Sequence, residues 1–174
     1  MRNLVLSVIG DDRPGLVSAL ADAVAQQGGN WERSQLAHLA GKFAGIVVVA
    51  VSADRADGLI GAVTGLDGLL EVAVHSGDTA TPREDTWTPI TIGVLGNDRA
   101  GIVHELSTAL SASGVSIEKM TTGVREAPMA GGMLFEAELD VWVPPGADTT
   151  GIRDELERIA AELLVEIDVE TRAD

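Results

Sequence analysis

The 174-residue sequence contains no cysteine, so it carries neither a disulfide nor a thiolate metal site. Aromatic residues make up only 3% of it, and 12 Lys and Arg face 27 Asp and Glu, a formal net charge of −15 at pH 7. Nonspecific affinity for nucleic acid rests on Lys and Arg displacing counterions from phosphates, and RNA-binding sheets add exposed aromatics. Both are scarce, so no direct nucleic-acid binding is expected. No apolar run reaches membrane length, and Met1-Arg2-Asn3 leads straight into a strand-like run. Neither a membrane span nor a signal peptide is therefore expected, and the cytoplasm is the expected address. Gly-x-Gly-x-x-Gly and Gly-x-x-x-x-Gly-Lys-Ser/Thr cradles are missing, so the expectation is no cofactor. The acidic residues form no long run, and the charge reads as a solvated surface that names no partner.

What is present is a repeat. Hydrophobic residues make up 45% of the chain, enough for one ordinary domain or two small ones. Gly10-Asp11-Asp12-Arg13-Pro14-Gly15-Leu16-Val17 recurs as Gly96-Asn97-Asp98-Arg99-Ala100-Gly101-Ile102-Val103, an offset of 96 − 10 = 86 residues. The same offset carries Leu20 to Leu106, Val24 to Leu110, Gly28 to Gly114 and Glu32 to Glu118. Solenoid units repeat every 20 to 50 residues or so. A longer period implies duplication of a whole domain.

Each copy parses into the same elements. Leu4, Leu6 and Val8 alternate with Val5, Ser7 and Ile9 as an opening strand, repeated by Ile90, Ile92 and Val94. Pro14 fits a first helical turn, and Leu16, Val17, Leu20 and Val24 form one apolar stripe that Gly28 ends, matched by Ile102, Val103, Leu106 and Leu110. A second strand is expected from about Asn30 to Leu39 and Val115 to Arg125, and a third over Ala44 to Ser52 and Met133 to Val143. Leu59, Val63 and Leu66, and Ile152, Leu156, Ile159 and Leu163, mark a second helix. Val72 and Val74, and Ile167 and Val169, close each copy. The β-α-β-β-α-β order predicts an α+β fold of two ferredoxin-like domains, with both helices on one face of an antiparallel sheet. The expected division is 1–77, a linker over 78–88 in which Trp87 packs on a domain, and 89–174.

The third strand of the second copy alternates Met133, Phe135, Ala137, Leu139 and Val141 with Leu134, Glu136, Glu138, Asp140 and Trp142, so its outer face reads as polar. Its counterpart, Ile46-Val47-Val48-Val49-Ala50-Val51, is apolar on both faces, which predicts an interface in which another domain or subunit covers the helix-free face of the first sheet, with Val47 and Val49 shielded there.

The Gly-Asp-Asp-Arg-Pro-Gly turn after a first strand, Gly-Gly-Asn30 opening the second, and the element order resemble the ACT domain family over nearly the whole chain. Two such modules, together with His38-Leu39-Ala40-Gly41-Lys42-Phe43 leading into an apolar strand, resemble the glycine cleavage system transcriptional repressor family. The resemblance implies a non-enzymatic regulatory protein, a homodimer, whose paired modules bind a small amino acid such as glycine. It also implies control through a partner regulator or enzyme rather than through DNA contact. The second copy departs from the pattern, with Ala100 in place of Pro14 and Ser116 in place of Asn30.

An amino acid presents a carboxylate, which suits backbone N–H groups at a helix N-terminus, and an ammonium, which suits the side chains of Asp12 and Asp98. Asn30 or Ser116 could hydrogen-bond the same ligand. The resemblance thus places ligand residues at Asp12, Arg13, Pro14, Gly15, Leu16 and Asn30, and at Asn97, Asp98, Gly101, Ile102 and Ser116. A purely structural account of these residues competes: Asp12 and Asp98 as helix caps, Gly15 and Gly101 allowing close helix–strand packing, Arg13 and Arg99 solvated. Asp11 with Asp12 offers two oxygens where a hard cation wants about six or more, so no metal is expected. His38, His75 and His104 stand apart from any catalytic pattern and read as structural, and Glu136 with Glu138 reads as an exposed strand face. The competing functional reading is a ligand-free interaction adaptor with vestigial pockets.

Overall fold

Alternation of Leu4, Leu6 and Val8 with more polar neighbours makes Arg2–Asp11 a strand with one buried face, and Thr88–Asn97 repeats its burial pattern residue for residue. In the computed structural model, which describes residues 1–66, 68–77, 86–128 and 131–171, the chain divides into two compact units, Met1–Pro82 and Arg83–Asp174. The first unit runs β1 (Arg2–Asp11), α1 (Leu16–Gln26), β2 (Asn30–Leu39), β3 (Lys42–Val51), α2 (Ala56–Thr64) and β4 (Glu71–Gly77). The second runs β5 (Thr88–Asn97), α3 (Ile102–Ala112), β6 (Ser116–Glu126), β7 (Met133–Val143), α4 (Thr149–Leu163) and β8 (Val165–Thr171). Each sheet is antiparallel, ordered β2-β3-β1-β4 and β6-β7-β5-β8, so each is the expected βαββαβ ferredoxin-like module. Of the expected linker, 78–85 lie outside the described residues. Its last residue, Thr88, belongs to β5, and Trp87 is half-buried.

α1 and α3 end where a glycine takes a left-handed conformation. After α1, the Gly28 N–H donates to Ala25 O at 2.9 Å and the Gly29 N–H to Val24 O at 2.9 Å, with Gly28 at φ 69°. The same paired closure recurs after α3 through Gly114 and Val115. Leu66, expected within the second helix, falls outside it: α2 stops at Thr64, and Gly65 turns the chain back through N–H bonds to Gly61 O and Val63 O. Leu66 still packs on the core from the following turn.

Each module has its own core. Leu4, Leu6, Val8, Leu16, Leu20, Val24, Val47, Val49, Val51, Leu59 and Val63 pack between the first sheet and its helices. Ile92, Ile102, Leu106, Leu110, Leu139, Leu156 and Leu163 are among the residues that do so in the second. Among the described residues no polar or charged side chain is buried, so burial of apolar side chains, roughly 1.5–3 kcal/mol for each large one, holds each module. The register corrects the expectation about Val47 and Val49. They pair with Leu6 and Leu4 and share that strand's helix-side face, so they are buried beneath α1 and α2. The helix-free face of β3 carries Ile46, Val48 and Ala50, and Ile46 is 54% exposed. On β7 the alternation is as read, with Phe135, Ala137, Leu139 and Val141 inward and Glu136 and Glu138 exposed.

Candidate functional site

The repeated turn sits where β1 passes to α1 and β5 to α3. Gly15 and Gly101 are the residues that start the helices, at φ 94° and 97°, in the left-handed region where a Cβ is unfavourable. A Cβ on Gly15 would meet nothing within 4 Å, and one on Gly101 only the Glu105 carboxylate at 3.5 Å. Close packing therefore does not explain these glycines, whereas backbone conformation does. Pro14, expected inside the first helical turn, lies in the turn before it, because the left-handed Gly15 delays the helix to Leu16. No side chain caps either helix, so Asp12 and Asp98 do not serve as caps. Leu16 and Ile102 open the helices as buried anchors, and the first-turn amides, before Ala19 and Glu105, have no intrahelical acceptor.

The two turns are fastened differently. In the first module the Asp12 N–H donates to Gly41 O at 2.9 Å, Lys42 pairs with Asp11, and Arg13 donates to the Gly68 carbonyl. Arg13, although exposed, is thus tied to the turn before β4. Hydrogen bonding and charge from Lys42 hold the Asp11 carboxyl below its ordinary pKa, and Asp11 in turn raises Lys42. The His38 imidazole lies 3.6 Å from the Asp12 carboxylate. In the second module the Asp98 N–H donates to Met133 O at 2.8 Å, and Arg99 reaches Glu105 at 3.5 Å. Asn97, matching Asp11, ends β5 opposite Leu134, which stands where the first module has Lys42.

Asn30 and Ser116 are not brought to these turns within their own modules. Asn30 pairs with Ala50 and so is level with Asn3, eight residues along β1 from Asp11. At about 3.3 Å per residue the separation is roughly 26 Å. Ser116 is likewise level with Pro89, at the far end of β5 from Asn97. Both residues open β2 and β6, which are outermost strands of their sheets. A bulge follows at the same place in each, between Trp31 and Arg33 and between Ile117 and Lys119, around the repeated Glu32 and Glu118. Asp12, Arg13, Pro14 and Gly15 therefore form one cluster, and Asn97, Asp98, Arg99 and Gly101 another, each without its β2 or β6 partner.

Sequence reasoning missed His38 at the first cluster. The available signal was its position four residues before Lys42, near the end of β2, where a hairpin returns it to the level of Gly10. His75 lies instead on the helix-free sheet face, 3.4 Å from Ser7 Oγ, and His104 lines a groove between α3 and α4 with Glu105, Thr108 and Glu155. Among the described residues no group of three or more His, Cys, Asp or Glu could hold a metal ion. No helix of the described residues is long and apolar enough to cross a membrane.

The ACT domain family model matches residues 2–75 and again residues 88–170. The chain belongs to the ACT domain family. It is a tandem ACT protein, with one module in each unit. Phosphoserine phosphatase SerB2 of Mycobacterium tuberculosis is 31% identical over 97% of this chain, and the chain spans only 40% of that protein's length. A crystal structure of an unknown protein from Galdieria sulphuraria is 27% identical, with 99% of each chain covered and a TM-score of 0.88. A structure described as a glycine cleavage system transcriptional repressor is 15% identical, with 99% of this chain and 98% of that one covered and a TM-score of 0.71. That likeness shows the fold alone, and in fold this chain resembles the repressor as expected.

Proposed function

We propose that this tandem ACT protein is a non-enzymatic regulator that binds a small amino acid, glycine or similar, and passes the binding event to a partner regulator or enzyme. The observation that carries the reading is the turn built twice. A left-handed glycine, Gly15 or Gly101, presents first-turn amides that no side chain caps, and a carboxylate, Asp12 or Asp98, stands just before it. Amides at a helix N-terminus suit the ligand carboxylate, and Asp suits its ammonium. On this reading the site is completed by a module of a second copy of the chain. β2 and β6 are edge strands, and edge strands pair readily with another strand. Antiparallel pairing of two such edges lays the start of one strand beside the end of the other. Asn30 or Ser116 then arrives at the turn of the neighbouring module, which accounts for its distance from its own.

The match to part of SerB2 supports an enzyme, one acting on phosphoserine, as a second candidate for the partner. Thermal unfolding against a panel of amino acids tests the reading. A ligand at 100 times its Kd stabilises by about 2.7 kcal/mol. The expected result is a selective rise in Tm that Asp12→Ala and Asp98→Ala together abolish. No shift with any amino acid at millimolar concentration leaves the ligand-free adaptor as the better account.

A further inference from the structure

Among the differences between the two copies of the turn, the register identifies one at His38. In the first module Gly10, Phe43 and His38 lie side by side across β1, β3 and β2. In the second, Gly96, Phe135 and Val124 occupy the same row across β5, β7 and β6. His38 and Val124 are thus structural equivalents, and the imidazole reaches within 3.6 Å of Asp12. Both partners of that pair are about half exposed, open to solvent and to a ligand. The other charges around the first turn are engaged: Asp11 with Lys42, and Arg13 on the Gly68 carbonyl, while Glu71 lies near enough to Lys42 to act on it. The first turn of α1 adds no acidic residue. His38 is therefore the imidazole at this turn, and imidazole is the side-chain type that gains and loses a proton most readily near neutral pH.

We propose that His38 makes amino-acid binding by the first module pH-dependent, because its protonated ring competes with the ligand ammonium for Asp12. The second module has Val124 at the equivalent position, and its His104, in the first turn of α3, lines the groove between α3 and α4 instead. The inference rests on the reading of Asp12 as the ammonium acceptor. A free amino acid stays zwitterionic near neutral pH, so the dependence comes from the protein. Binding is stronger when the ring is neutral and weaker as pH falls. Exposed ion pairs are modest, so the expected difference between about pH 8 and about pH 5.5 is about two- to fivefold in Kd.

Calorimetric titration of the full chain carrying Asp98→Ala with glycine, at these two pH values, reads the first module. The expected gap disappears in His38→Val, and Val124→His in an Asp12→Ala chain introduces one at the second module. A gap that survives His38→Val, or no gap in the parent, overturns the proposal. Absence of binding at both pH values, by glycine and by every other amino acid of the panel, overturns it together with the reading beneath it, whereas binding without a gap overturns the proposal alone. NMR of the His38 ring in the unmodified chain gives a second readout. By reciprocity, saturating glycine shifts its titration to lower pH, and an unmoved titration contradicts the competition.

Discussion

Replacing Gly15 by alanine or by asparagine separates two reasons for a glycine in the repeated turn. The residue holds φ 94°, and a Cβ placed on it meets no atom within 4 Å. If conformation is the constraint, Gly15→Ala costs the left-handed penalty alone, about 1–2 kcal/mol. Asparagine is larger yet visits this region more readily, so Gly15→Asn costs less than Gly15→Ala. Were packing the constraint, asparagine would cost more. For a module of this size about 1 kcal/mol corresponds to roughly 4–8 °C in Tm. Because the chain holds two modules, the assay is calorimetry on Gly15 and Gly101 variants alike, with the two transitions fitted separately. An asparagine variant less stable than the alanine variant, or an alanine variant as stable as the parent, refutes the reasoning. The outcome bears on function because the left-handed residue sets where the first amides of the helix point.

Three further outcomes follow from particular contacts. Gly45→Ala places a Cβ 2.0 Å from the Gln35 carbonyl and 2.8 Å from Leu36 Cα, so β2 must shift. The expected loss is about 3 kcal/mol, where the same change at an unhindered strand glycine gains roughly 0.5–1 kcal/mol, read by urea unfolding. Asp148→Ala removes the cap that accepts N–H bonds from Thr150 and Gly151 at 3.1 and 3.0 Å, and lowers the second module's stability by about 1 kcal/mol in the same assay. Lys42→Met returns the Asp11 carboxyl toward its ordinary pKa, so NMR finds it titrating at higher pH than in the parent. The sign follows because Lys42 favours the ionised carboxylate, and the stabilisation it gives is present above the carboxyl's unfolded pKa and lost as pH falls through the lowered one.

The repeat and the element order were legible because both rest on local pattern. Alternation marked β1, β5 and β7, a helical stripe marked α1 and α3, and Gly28 and Gly114 marked their ends. What the pattern could not resolve was long-range. A strand apolar on both sides, Ile46 to Val51, does not declare which face meets the helices, and only pairing with Leu4 and Leu6 decides it. Leu66 kept helical spacing with Leu59 and Val63, although Gly65 had already turned the chain. Asp12 and Asn30 read as neighbours in one site because chemistry groups them, whereas strand order sets them at opposite ends of the module. His38 read as isolated because its proximity to Asp12 comes from the return of the β2–β3 hairpin.

The proposed composite site is tested most directly by hydrogen–deuterium exchange of the full chain with and without the amino acid that shifts its Tm. The account predicts that one ligand protects both ends of the module, the turn at residues 10–18 together with the opening of β2 at Asn30 to Arg33, although they lie roughly 26 Å apart within it. Protection confined to one end, or none at either, contradicts a site shared between the turn of one module and the edge strand of another.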